Sequence, residues 1–227
     1  MKLKPSALVS GFSGKLNGSV ASRNRGGAYL RNKAIPLNPK TSAQALVRSS
    51  FGSLSKAWGQ LTEAQRKAWN GAVSSWQTTD VFGDLKSPSG INLFMRLNTN
   101  LATVGATGIN FPPVPGETFF TPLGALTMVG GGASQIALGA DLPASDTAMI
   151  VESTAGFSAG INNANSRYRL VTTASSTTGS ALIFTSGQDA KFGAPIDGLK
   201  YSVRVTFVNT VTGQKSVPQT AFAIAAP

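Results

Sequence analysis

The chain changes its hydrophobic rhythm near residues 40, 105 and 117. Up to residue 40 apolar side chains are sparse and glycine recurs at 11, 14, 18, 26 and 27, the pattern of an arm rather than a core. Within it, residues 15–22 and 28–34 flank Arg23-Asn24-Arg25-Gly26-Gly27. Glycine there permits positive φ, so the spacing predicts a hairpin. Arg23, Arg25, Arg31 and Lys33 would then decorate one projecting ribbon. Ile35-Pro36-Leu37-Asn38-Pro39 should be extended, because each proline disfavours helix in its predecessor.

Residues 41–105 show helical spacing. Val47, Phe51, Leu54 and Trp58 form one stripe behind a capping Thr41 or Ser42, with Gly59 as the expected end. Thr62 and Gln65 are spaced as a capping box for a second helix, whose stripe is Trp69, Ala72, Val73 and Trp76. Ser87-Pro88 should open a third helix, with Phe94, Leu97, Leu101 and Val104 on one face and Gly105 ending it. Phe51, Trp58, Trp69 and Trp76 are the expected helical core.

Residues 106–117 form a linker, stiffened by Phe111-Pro112-Pro113-Val114-Pro115-Gly116. From 118 to 227 the rhythm is that of short strands, expected at 126–129, 135–138, 148–153, 168–173, 181–185, 201–209 and 220–225. Strands of this number and length suit a β-sandwich. From Tyr201 to Val208 the odd positions are apolar and most even ones polar, which predicts one buried and one wet face. The closing strands resemble the last hairpin of immunoglobulin-like or fibronectin type III-like domains, although this region has neither cysteine nor tryptophan. The fold class expected is α+β and multidomain: a basic arm or hairpin, a small helical segment and an immunoglobulin-like sandwich.

Composition narrows the chemistry. The 227 residues include no Cys and no His. That removes disulfides, zinc knuckles, thiol nucleophiles and every Ser-His-Asp or Cys-His arrangement. Two-carboxylate chemistry stays open in principle, but the few acids lie in turn-like contexts: Phe82-Gly83-Asp84, Ala140-Asp141-Leu142-Pro143 and Ile196-Asp197-Gly198. No enzyme, cofactor or metal site is expected. Apolar runs fall far short of the ~20 residues that span a bilayer, and the short apolar stretch after Met1-Lys2-Leu3-Lys4-Pro5 is not a signal-peptide pattern.

Charge adds a direction. Through Asn70 there are twelve Lys and Arg against Glu63 alone, so the first 70 residues hold the whole net charge of +11. The remainder balances eight against eight. Such asymmetry implies a partner for the basic part. Arg and Lys among glycines can follow nucleic-acid phosphates, but only Phe12 and Tyr29 are there to stack on bases.

The stretch from Arg23 to Arg31, then Asn38-Pro39-Lys40-Thr41-Ser42-Ala43-Gln44, resembles the N-terminal part of a largely uncharacterised family from tailed-bacteriophage structural modules. Arg48, Phe51, Trp58, Leu61-Thr62, Gln65-Arg66 and Ala68-Trp69-Asn70 continue it, over roughly residues 10–100. The resemblance implies a non-enzymatic virion protein with no catalytic residues to carry over. Head decoration is the first expectation, and a neck or tail position the next. Its partners would be major capsid or neck/tail subunits and copies of itself in an oligomer or lattice. Nucleic acid is the second choice and no membrane is expected. A glycan-binding sandwich is a third class, supported only by exposed aromatics.

Overall fold

The computed structural model describes residues 2–3, 11–35, 37–139, 146–175 and 181–227. Pro36 and the acidic turn expected at 140–143 lie outside them. The predicted hairpin is present but belongs to a sheet, so the first third is less extended than its composition suggests. Strands β1 (Lys2–Leu3), β2 (Gly14–Leu16), β3 (Ser19–Asn24) and β4 (Gly27–Asn32) pair antiparallel in the order β1-β4-β3-β2. Asn17, at φ +49°, and Gly18 turn β2 into β3. Arg25 and Gly26 turn β3 into β4, and Gly27 follows at φ +106°. The sheet has little core of its own: among its described residues Ala21 alone is buried.

Helix α1 (Ser42–Gln60) starts at the expected cap, where Thr41 Oγ1 accepts from the Gln44 N–H at 3.3 Å. It passes Gly59 by one residue, and the Leu61 N–H then closes on Trp58 O at 3.3 Å. The capping box of α2 (Glu63–Ala72) is formed in both directions between Thr62 and Gln65. A 3-10 turn (Val73–Trp76) and the small hairpin of β5 (Thr78–Thr79) and β6 (Leu85–Lys86) follow. Helix α3 (Gly90–Thr103) begins later than Ser87-Pro88 predicts, because the Ser89 hydroxyl supplies the cap by accepting from Asn92 N–H. Gly105, at φ +72°, ends it as expected. Leu93, Phe94, Leu97 and Leu101 make α3 the buried centre of the helical unit.

Every strand expected beyond the linker is found. They are β7 (Leu123–Met128), β8 (Ser134–Leu138), β9 (Thr147–Ser153), β10 (Arg169–Ala174), β11 (Ala181–Ile183), β12 (Lys200–Asn209) and β13 (Gln219–Ile224). They pair antiparallel in two sheets, β11-β8-β7 and β10-β9-β12-β13, whose inner residues share one core that includes Met128, Ile136, Val151, Val205 and Phe207. A fourth helix, α4 (Thr185–Phe192), was not expected. It cuts the predicted strand short at Ile183, and Thr185 Oγ1 accepts there from Ser134 N–H at 2.9 Å.

The expected wet face of β12 is also corrected. Ser202 and Val208 are fully buried and Thr206 nearly so. The chain between β9 and β10 lies over one end of that face, where Tyr168 OH and Ser202 Oγ meet at 2.5 Å and Thr154 Oγ1 accepts from Ser202 N–H. On the same face Arg204 pairs with Glu152 at 2.7 Å and stacks over Tyr168. Alternation reports which residues share a face; it says nothing about whether another segment covers it.

Candidate docking surface

The four basic residues singled out by sequence are all exposed, but they do not share one face. Opposite residues of an antiparallel pair point the same way. The register Lys2↔Tyr29, Lys15↔Val20 and Val20↔Arg31 therefore puts Lys2, Lys15 and Arg31 on one side of the sheet. Lys33 follows by alternation, and its N–H extends the pairing to Gly18 O at 2.7 Å. Arg23, opposite Ala28, lies on the other side, and Arg25 caps the turn. Lys2 and Lys15, which spacing alone did not single out, complete the basic face; the Asn17-Gly18 hairpin signal would have found β2 and Lys15 with it.

The sheet is tied to the helical unit by Lys2, whose Nζ lies 3.8 Å from Asp80 Oδ2. Asp80 sits in the turn between β5 and β6 with its side chain only 4 % exposed. Burial would raise its pKa, but hydrogen bonds from the Phe82 and Asp84 N–H groups, with the charges of Lys2 and Lys86, outweigh that and hold it below the usual carboxylate value.

The stripe of α1 divides in two. Leu54 and Trp58 are half-buried against the helical core, Trp58 lying 5.4 Å from the Phe94 ring. Val47 and Phe51 are 68 % and 63 % exposed, and neighbouring Leu46 is 70 % exposed. Phe51 is therefore not a core residue: it lines an open cleft beside Met95, Arg96 and Thr99 of α3 and keeps most of its surface in solvent. Ile35 and Leu37, just before the helix, are also exposed. Across α1 the charges are Arg48 and Lys56, with no acid.

Two tryptophans do what was expected of them and more. Trp69 is fully buried, edge-on to Phe94 at 5.4 Å, and its indole N–H donates to Asn110 O at 2.9 Å. Trp76 is buried and donates to Pro113 O at 3.4 Å. Asn98 clasps the same segment, accepting from Ile109 N–H at 2.7 Å and donating to Ile109 O. The proline-rich stretch is thus a strap bonded along the helices. Its end is held from the other side, where Gly116 N–H donates to Gln214 Oε1 at 3.1 Å.

Among the described residues no three acids gather where a metal ion could be held. No helix among them is long and apolar enough to cross a membrane. The chain matches no model of a known protein family and no curated protein.

Proposed function

We propose that this chain is a non-enzymatic structural protein of a tailed-bacteriophage particle, of the head-decoration or cement type. The observation that carries the reading is a coincidence of place: the uncovered apolar half of α1 lies in the same third of the chain that holds the entire +11. A contiguous apolar patch with cations around it marks a contact surface for an acidic protein neighbour. Trp58, Trp69 and Trp76 build the unit that carries this surface.

The strand order β7-β8-β11 against β10-β9-β12-β13 supports an immunoglobulin-like, and more narrowly fibronectin type III-like, sandwich as the projecting part. Helix α4 packs on the edge strand β10, with Gly187 against Val171, so β11 is the edge left to meet neighbouring copies in a lattice. A neck or tail position uses the same anchor and display parts.

A second reading, DNA binding, is favoured by the shared face of Lys2, Lys15, Arg31 and Lys33. Two variants separate the readings. Val47→Glu with Phe51→Glu should abolish incorporation into particles and leave duplex affinity nearly unchanged. Lys15→Glu with Arg31→Glu would do the opposite if DNA were the partner. Salt-sensitive duplex binding by the wild type, with particle incorporation indifferent to the α1 variant, would sink the docking reading.

A further inference from the structure

Where α3, the strap and the loop after β12 meet, a cleft of about 420 Å³ opens, lined in part by Trp76, Gln77, Arg96, Asn100, Gln214 and Lys215. Two units of the chain face each other there with the same sign of charge. Arg96 comes from α3 and Lys215 from the loop before β13, and no Asp or Glu lines the cleft. The Arg96 guanidinium lies 5.5 Å from the centre of the Trp76 ring, which orients it without neutralising it. Among the described residues neither cation enters an ion pair. The nearby carboxylate of Glu152 does attract Lys215, but Arg204 holds it through Nε and Nη2, both at 2.7 Å. Burial lowers the pKa of both cations; at Lys215 the charge of Arg204 adds to that, against Glu152.

The amides around the cleft are mixed: Asn100 and Gln77 donate to Gly213 O and Ser87 Oγ and keep acceptor oxygens. The amide oxygen of Gln214 is occupied by Gly116 N–H, which leaves its NH₂ as a donor at the wall. What favours an anion here is therefore two cations without an ion pair and one amide donor on the wall of a cleft that no acid lines. We propose that this cleft binds an oxyanion, a phosphate or carboxylate group, held between Arg96 and Lys215 and clasping the helical unit to the two-sheet unit. The site is independent of the virion reading and of the N-terminal basic face.

The full chain, isotopically labelled, is titrated with inorganic phosphate and, separately, with acetate, each against sodium chloride of equal ionic strength. Amide shifts should concentrate at residues 76–77, 96–100 and 214–215, with millimolar affinity. Arg96→Gln and Lys215→Gln should each weaken it at least tenfold, while Lys215→Arg keeps it. The better of the two anions identifies the chemical source. A second readout separates ligand binding from a merely structural lysine. In buffer free of both anions Lys215→Gln should melt no lower than the wild type, and phosphate should raise the wild-type midpoint alone. Shifts equal to those in chloride, shifts centred on the N-terminal sheet, or variants that bind like the wild type would each overturn the proposal.

Discussion

Phe51 and Trp69 have the same claim to the core on sequence spacing, and the fold treats them oppositely. Trp69 is fully buried, makes an edge contact with Phe94 and donates its indole N–H to the strap. Trp69→Ala should therefore cost about 3–5 kcal/mol, as large-to-small changes in a packed core do. Phe51→Ala, at 63 % exposure, should stay within about 0.5 kcal/mol. Urea unfolding of both variants checks the pair. Equal losses would mean that Phe51 has a partner within the chain. The periodicity put each residue on an apolar stripe, Phe51 on that of α1 and Trp69 on that of α2. What it lacked was how closely the facing helix packs along each stripe, which decides where a stripe is covered.

Among the elements, the small hairpin β5–β6 depends on one carboxylate. Asp80 accepts from Phe82 and Asp84 N–H and faces Lys2 and Lys86, so its pKa is lower in the folded chain than in the unfolded one. Its stabilising effect is therefore complete above the unfolded value, about 4, and fades as pH falls through the folded value. Protection of the Phe82 and Asp84 amides from hydrogen exchange, taken relative to the intrinsic rate at each pH, should fall over that acidic range. Asp80→Asn keeps an acceptor oxygen but removes the charge, and should flatten the response. Unchanged acid sensitivity in that variant would place the titrating group elsewhere. The seven β-domain strands and the start of α2 were legible because turn residues, caps and alternation are local signals. Helix α4 was not, because it is short, weakly amphipathic and anchored by Thr185 to the distant Ser134. The basic face of the N-terminal sheet was legible in composition and hidden in register: Lys2 joins it through a pairing with Tyr29.

At the scale of the molecule the decisive contact is between α3 and the loop after β12. Asn100 Nδ2–H donates to Gly213 O at 2.8 Å, and Gly213 has φ +73°. A Cβ at 213 would stand 2.5 Å from Leu97 O. Gly213→Ala thus meets both backbone strain and a clash, and should cost more than about 1 kcal/mol. Because the damage falls on the seam, it should also split a single thermal transition into two, visible by calorimetry as separate melting of the helical and two-sheet units. A single sharp transition in the variant would show that the units are coupled elsewhere, with the strap as the obvious route.

That strap has a mechanical consequence. Chain segments that join two bodies usually act as pivots, yet here Asn98, Trp69 and Trp76 fasten its near side and Gln214 its far side. A sideways push on the two-sheet unit is therefore not absorbed by bending between the bodies. It travels as torque into α3 and the indole rings, so the helical and two-sheet units should turn together rather than about the strap.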